Sequence, residues 1–257
     1  MFDIERASIL KRISAALLDF ILVLILSVGF GFFVSWISNY DEHLNNINEY
    51  YEYYNAKYDI DLLGTSDKYD NLNEEEKEAY DERYKQANLE YQNDKEAMKE
   101  FNLVMNLSIV IISIGLFFGI FITEFIIPLF FKNGQTVGKK IFSICIIKND
   151  GVKVSNVQLF ARTVIGKYVI ETMIPVLLVF AIAFGFIGLA GTIVIIGLLL
   201  IQIVLLFATK NRTLIHDAFA YTVVVDKESQ KIFNSVEEKI KYKEKLHEEE
   251  VSKQKAY

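Results

Sequence analysis

The length of the uncharged apolar runs constrains this chain more than any other feature. Asp19 is the only charged residue between positions 13 and 38, and after Glu171 no charge occurs before position 210. Apolar runs of 18 or more residues are long enough to cross a bilayer and too long for most buried helices of soluble proteins. The sequence therefore predicts a membrane protein that crosses the lipid bilayer several times.

The apolar stretches predict four membrane helices. Residues 1–38 hold the N-terminus and the first span, and residues 102–131 form the second, in which Glu124 and Pro128 interrupt the apolar run. The stretch 169–208 is about twice the ~20 residues that one crossing needs. We expect it to form a helical hairpin with its turn at residues 188–191, where two glycines lie. The predicted fold class is an all-α four-helix transmembrane bundle.

The charges are divided unevenly along the chain. Residues 39–101 carry 7 Lys or Arg against 18 Asp or Glu, whereas residues 132–168 carry seven Lys or Arg and one acid. Basic loops stay in the cytoplasm, so we expect both termini, the loop 132–168, the segment 209–225 and the charged tail 226–257 on that side. Abundant Asn, Ile, Lys and Tyr with only 2 Pro indicate an AT-rich genome and hence a multi-pass protein of a bacterial cell membrane.

The acidic insert, residues 39–101, lies outside the cell in this topology. It holds ten of the 14 tyrosines, and a helix is expected to start at Asn71 or Asn73, after a loop at residues 59–68. Tyr80, Tyr84 and Tyr91 recur at helical spacing. The favoured interpretation is a solvated helical hairpin, and the alternative is an external binding module. No calcium-loop spacing is present, and no metal or cofactor is predicted.

Two short β-branched runs predict a small cytoplasmic sheet. Residues 142–147 alternate, and residues 149–151, Asn-Asp-Gly, suit a hairpin turn with residues 152–154 as a return strand. A second run occupies residues 221–225. Each run is too short to be stable alone, so we expect residues 144–147 to pair with residues 223–225.

The segment 134–140, Gly-Gln-Thr-Val-Gly-Lys-Lys, superficially resembles a phosphate-binding loop. Such a loop needs four residues between its glycines and a Ser or Thr after the Lys. Here three residues separate the glycines and a second Lys follows. A phosphate site is therefore not predicted.

Three motifs in order resemble the RDD family of membrane proteins, which is named for an Arg and two Asp. The first is Arg12, Ala16 and Asp19, and the second is the segment 134–140 with the turn at 149–151. The third is the segment 214–217, in which Asp217 would be the second Asp, followed by residues 220–225, where Tyr221 stands in place of a common Gly. The resemblance covers residues 6–38 and 103–225. The motif positions carried over are Gly134, Gln135, Thr136, Gly138, Lys139 and His216.

The resemblance implies a polytopic membrane protein, with cation/proton antiport suggested for some relatives and no catalytic residues to carry over. The acids within the spans, Asp19, Glu124 and Glu171, indicate where a function would lie, because a charge at mid-bilayer costs at least ~2.5 kcal/mol without a partner or water. We expect them to cluster with basic groups near the cytoplasmic side, with Asp19 compensating Arg12. The candidate network is Arg12, Asp19, Glu124, Arg162, Glu171 and Asp217.

Two functions fit these features. The first is transport, in which the network is a relay for protons and small monovalent cations; the alternative for the network is a purely structural set of ion pairs. If the protein is a transporter, a homo-oligomer is expected because four helices barely enclose a pathway. The other hypothesis is a non-transporting scaffold or sensor that binds a partner through the acidic insert. His216 lacks a second His nearby and is expected to be a hydrogen-bonded cap or interface residue. No nucleophile–base pair suggests an enzyme, and the short basic loop argues against nucleic-acid binding.

Overall fold

The computed structural model of the chain describes residues 4–64, 69–131, 133–209 and 211–255. It is mostly helical, with one small two-stranded sheet. The chain divides into two compact units, one of Met1–Ser27 with Leu116–Tyr257 and one of Val28–Gly115.

The elements follow one another in a simple order. Along the chain the helices are α1 (Ile9–Ile37), α2 (Tyr40–Tyr58), α3 (Glu74–Asn93), α4 (Lys95–Phe121), α5 (Ile127–Phe131), α6 (Val137–Ile141), α7 (Asn156–Phe160), α8 (Ile174–Ala183), α9 (Leu189–Ala208), α10 (Ile215–Phe219) and α11 (Val236–Lys255). Two π-helical segments, π1 (Ile122–Ile126) and π2 (Ala161–Met173), join α4 to α5 and α7 to α8. The strands are β1 (Ile144–Lys148) and β2 (Thr222–Asp226).

Four helices in the described part of the chain are long and apolar enough to cross a membrane. They are Ile9–Ile37, Lys95–Phe131, Asn156–Ala183 and Leu189–Ala208. Large apolar side chains on them face outward, such as Leu10, which is 78% exposed, and Phe207, which is 69% exposed. A continuous apolar exterior is stable in lipid and unstable in water. These helices mark a membrane protein.

The third and fourth long helices differ from their expected bounds. The third begins at Asn156, so residues 156–168 are helical although the sequence pattern assigned them to the basic loop. The hairpin turn lies at residues 184–188, earlier than the expected 188–191. Gly185 adopts a φ of +72° there, a conformation that glycine takes without strain. Gly191 instead lies inside α9, where an added Cβ would come within 2.8 Å of Ile187.

The two strands pair as the sequence predicts. They are antiparallel, with Cys145 opposite Val225 and Ile147 opposite Val223. Both faces of this ribbon are buried, one against Ala7 and Ala15 and the other against Ile4 and Ile232. The expected return strand at residues 152–154 makes only isolated bridges, to β1 and to residue 233, after the turn at residues 148–151.

The acidic insert forms a helical hairpin of α2 and α3 in the unit Val28–Gly115. Asn73 caps α3 through a capping box with Glu76, in which each side chain accepts a hydrogen bond from the other residue's backbone N–H. Tyr54, Tyr80 and Tyr91 are buried, whereas Tyr84 is 36% exposed. The predicted loop 59–68 is described as far as residue 64, and residues 65–68 lie outside the described residues.

A buried tyrosine pair holds the hairpin together. The rings of Tyr54 and Tyr91 meet edge to face at 5.7 Å, and the hydroxyl of Tyr54 donates to Asp94 at 3.0 Å. Burial raises the pKa of Tyr54 above its usual value, and the bond to Asp94 acts in the same direction. The insert therefore has an aromatic core of its own.

The charged tail is helical over α11. The ring of Tyr242 lies 5.6 Å from that of the buried Phe233, and the Lys231 ammonium lies 3.1 Å from the Tyr242 ring centre. Lys239 donates to the carbonyl of Asp150 in the turn after β1. These contacts attach the start of the tail to the sheet.

Candidate functional site

The two π-helical segments carry charged residues of the predicted network. Glu124 lies at the middle of π1, and Arg162, Lys167 and Glu171 lie on π2. A π-helix forms i→i+5 hydrogen bonds and is rare; it occurs mostly as single turns inside α-helices, frequently at functional sites. Because residues five apart then lie on one face, Arg162 and Lys167 can both reach Glu124.

The motif at residues 134–140 binds Asp19 of α1. Thr136 caps the short helix α6 by accepting from the Lys139 N–H at 3.2 Å, and its hydroxyl donates to Asp19 Oδ2. The Gly138 N–H donates to Asp19 Oδ1 at 2.8 Å. An added Cβ at Gly138 would fall on the carbonyl oxygen of Ala15, so only glycine lets α6 lie this close to α1.

The first two residues of the motif hold it against the sheet. Gln135 is 2% exposed, donates to the Ile144 carbonyl at 2.8 Å and accepts from Lys227 at 3.1 Å. Gly134 has a φ of +61°, and an added Cβ would lie 3.1 Å from Ile146. The motif therefore acts as a structural clamp between α1 and β1.

A chain of buried ion pairs crosses the site. Arg12 Nη2 lies 3.4 Å from Asp217 Oδ2, and Asp217 Oδ1 accepts from Arg162 Nε at 3.0 Å. Arg162 Nη1 lies 3.5 Å from Glu124 Oε2, which also lies 3.3 Å from Lys139 Nζ. Each link shares a residue with the next, so the cluster is one connected network.

Two further pairs branch from this chain. Lys167 donates to Glu124 Oε1, and His216 Nδ1 lies 2.7 Å from Glu171 Oε2. His216 Nε2 lies 3.6 Å from Asp217 Oδ2, which links the second branch to the main chain. Gly166 lets α10 approach π2, because an added Cβ there would lie 2.6 Å from the Cβ of His216.

Burial and neighbouring charges set the protonation of the groups outside the spans. Burial raises the pKa of Asp217, but Arg162, His216 and Arg12 outweigh it and hold this pKa below its usual range. Burial and the positive charge of Arg162 lower the pKa of His216, against the opposing effects of Asp217 and Glu171. His216 is therefore neutral at pH 7.

A cavity of about 400 Å³ adjoins the network. Part of its wall is apolar and comes from α1, including Ile13, Phe20 and Leu24. These three side chains are 49%, 56% and 42% exposed, so this wall meets the outside of the helix. The ionisable residues in the lining are Arg12, Asp19, Glu124, Lys139, Arg162, Lys167, Glu171, His216 and Asp217.

The structure brings together all six residues of the predicted network, but one expected pairing is wrong. Asp19 does not compensate Arg12: its basic partner is Lys139, whose Nζ lies 3.6 Å away, while Arg12 pairs with Asp217 and donates to the Arg212 carbonyl at 2.5 Å. Helical spacing put Arg12 and Asp19 on one face, but the α6 clamp brings a closer cation to Asp19. The role of the network, structural or transporting, stays a prediction.

Sequence reasoning missed the part played by Lys167 and the pairing of His216 with Glu171. Lys167 was visible only as the nearest basic residue to Glu171, and it reaches Glu124 because of the π-helical geometry. His216 is hydrogen-bonded, as expected of a cap or interface residue. Within the described residues, no three His, Cys, Asp or Glu side chains are arranged to hold a metal ion.

Four apolar helices of spanning length and a buried ion-pair network define an integral membrane protein with several spans. The model of the RDD family matches residues 6–221, and the chain therefore belongs to this family. The match includes α1, the clamp, both π-helical segments and α10. Searches of curated proteins and of solved structures give no match.

Proposed function

We propose that this RDD protein exchanges protons for small monovalent cations across a bacterial cell membrane, through the network around the cavity. The observation that carries the proposal is that nine ionisable side chains line one cavity of about 400 Å³. Charges in a membrane-spanning segment are costly and commonly mark ion or proton pathways. A structural network gains nothing from an adjoining cavity, whereas a transporter requires one.

The charge balance favours monovalent cations as the substrate. Four acids, Asp19, Glu124, Glu171 and Asp217, line the cavity together with four basic residues: Arg12, Lys139, Arg162 and Lys167. Ca²⁺ and Mg²⁺ take about six or more oxygen ligands, and protein carboxylates are among them. A site whose carboxylates are already paired exchanges one positive charge for another more readily than it accepts two.

His216 is the proton-accepting group in this proposal. It lies between two carboxylates, Glu171 at 2.7 Å and Asp217 at 3.6 Å, and its neutral ring can take up a proton. An unperturbed histidine changes its charge near physiological pH, and burial and Arg162 shift the pKa of His216 downward from that range. A proton on His216 adds a second positive charge beside Asp217 and so weakens the ion pair between Arg162 and Asp217. This couples protonation of His216 to the rest of the network.

We propose further that both termini lie in the cytoplasm, as the basic loops indicate, and that a homo-oligomer completes the pathway. The test is flux in proteoliposomes that enclose a pH-sensitive dye. An outward gradient of LiCl, NaCl or KCl should drive proton uptake with wild-type protein, and Glu124→Gln should abolish it. Glu82→Gln, in the exposed Lys85–Glu82 pair of the insert, is the matched control and should keep wild-type flux. Absence of wild-type flux with all three cations refutes the proposal.

The acidic insert supports a second candidate function, a scaffold or sensor. Its aromatic core lies within the compact unit Val28–Gly115, and charged side chains such as Glu74, 94% exposed, cover its outside. A receptor of this kind binds a basic partner and moves no ions. Wild-type protein that is folded and inactive in every gradient would favour this function over transport.

A further inference from the structure

Three oxygen atoms surround the ammonium of Lys139. Thr136 Oγ1 lies 3.2 Å from Nζ, Glu124 Oε2 lies 3.3 Å away and Asp19 Oδ2 lies 3.6 Å away. The oxygens come from three different elements: the cap of α6, π1 and α1. Lys139 itself is 7% exposed, so a buried positive charge occupies the centre of this oxygen set.

Other groups hold these oxygens in place independently of Lys139. Asp19 accepts from the Gly138 N–H at 2.8 Å and from the Thr136 hydroxyl. Glu124 pairs with Arg162 at 3.5 Å and with Lys167. The oxygen set is therefore positioned by its surroundings and does not need the ammonium to shape it.

We propose that the three oxygens form the binding position for a dehydrated monovalent cation, and that the Lys139 ammonium fills this position as a tethered competitor. The inference rests on the proposed function, because it names where the transported cation binds. Carboxylate and hydroxyl oxygens are hard ligands, which suit hard cations rather than soft metals. An ammonium is a compact point charge on a flexible four-carbon stem, so it can replace such a cation and also leave it.

The cavity provides space into which the Lys139 side chain can move. Nζ can withdraw from the oxygens into the adjoining space, which Lys139, Asp19 and Glu124 all line. The other charged groups facing Nζ are Arg162 and Lys167, and both repel it from the network side. The Lys139 ammonium lowers the apparent affinity of the site for free cation. The cation can bind only during the fraction of time for which Lys139 has left the site.

The test compares three variants of the full chain in detergent: Lys139→Gln, Lys139→Arg and Lys140→Gln. Lys139→Gln removes the competitor, Lys139→Arg keeps a positive charge that cannot be withdrawn as easily, and Lys140→Gln is the matched control on the exposed side of α6. The measurement is the unfolding midpoint temperature during titration with LiCl, NaCl or KCl, with choline chloride keeping the ionic strength constant.

We expect Lys139→Gln to reach half-saturation at a cation concentration about tenfold or more below that of the wild type. Lys139→Arg should show no cation-dependent stabilisation, and Lys140→Gln should match the wild type. If Lys139→Gln is recovered poorly in choline chloride, one of the three small cations should restore its yield. Three results would overturn the inference. Lys139→Gln could show the cation dependence of the wild type, or cations could stabilise Lys139→Arg as much as Lys139→Gln. The third is a low yield of Lys139→Gln that no cation restores.

This binding measurement separates the inference from the proposed function. Tight cation binding by Lys139→Gln without any wild-type flux in proteoliposomes would refute transport and leave the binding position standing. Wild-type flux that Lys139→Arg retains in full would support transport and refute the role of Lys139.

Discussion

Arg162 and Asp217 form an ion pair in which both side chains are 1% exposed, with Nε of the arginine donating to Oδ1 of the aspartate at 3.0 Å. Arg162 comes from π2 and Asp217 from α10, which are 55 residues apart in sequence. The pair joins the third long helix to the segment that follows the fourth. Each partner contacts another charge, Glu124 or Arg12, so the pair is the centre of the network.

Arg162→Gln should destabilise the protein by about 3–5 kcal/mol, because removal of one partner leaves Asp217 buried without its main cation. The measurement is the free energy of unfolding in mixed micelles. Lys85→Gln, which breaks an exposed pair with Glu82, is the control and should change little. A stability of Arg162→Gln equal to that of the wild type would show that the network does not support the fold.

Gly138→Ala should destabilise by about 1–3 kcal/mol, since the new Cβ meets the backbone of Ala15 and lies 3.0 Å from Cγ of Asp19. Backbone atoms cannot move aside as a side chain does. Gly197→Ala in α9 is the control: no described atom lies within 4 Å of its added Cβ, and alanine favours a helix over glycine. Unfolding of the two variants is compared side by side, and equal stability contradicts the clamp.

The partner of Asp19 shows what sequence reasoning could and could not reach. The cost of a buried charge indicated that Asp19 needs a cation, and this holds in the structure. Spacing along one helix suggested Arg12, whereas Lys139 is the partner because Thr136 and Gly138 hold α6 against α1. Such a contact between residues 19 and 139 depends on tertiary packing, which local spacing does not contain. The pairing of β1 with β2 was predictable because both runs are β-branched and too short to stand alone.

The π-helical segments were not predictable from hydrophobic periodicity. The apolar pattern of residues 169–183 predicts an ordinary spanning helix, and the basic residues of 156–168 predict a loop. In the structure these residues form one helix whose polar side chains turn inward to Glu124 and Asp217. Because these polar residues pair with buried partners, the segment is part of the long helix despite its low hydropathy.

Acid should weaken the protein through His216. Because burial and Arg162 lower the pKa of His216 below its usual value of 6.5, the unfolded chain takes up this proton first as the pH falls. The stabilising contribution is therefore complete above pH 6.5 and declines below it. Asp217 contributes separately, because its lowered pKa keeps it charged until well below pH 3.8.

His216→Gln should remove the decline between pH 7 and pH 5, as followed by the unfolding midpoint. His247→Gln on the exposed face of α11 is the matched control. A wild-type slope that persists unchanged in His216→Gln would assign the acid sensitivity to another group.

Cysteine labelling tests the membrane orientation. Burial raises the pKa of the native Cys145 to about 12, so this thiol is protonated and enclosed and should give no background. In intact cells, an impermeant maleimide should label Lys85→Cys in the insert and leave Ser229→Cys unlabelled until the cells are opened. The reverse pattern would show that the orientation is the opposite of the predicted one. Labelling of both variants from outside would show that one of the predicted crossings is absent.

The double variant Asp19→Asn with Lys139→Gln tests the central claim most directly. It removes one negative and one positive charge that lie 3.6 Å apart, so the network stays balanced and the fold should survive. Cation-driven proton uptake is measured in proteoliposomes beside wild-type protein, with equal unfolding midpoints as evidence of folding. We expect a folded double variant that carries no flux, because the cation position has lost the carboxylate of Asp19. Wild-type flux from the folded double variant would contradict the account and leave the network a purely structural one.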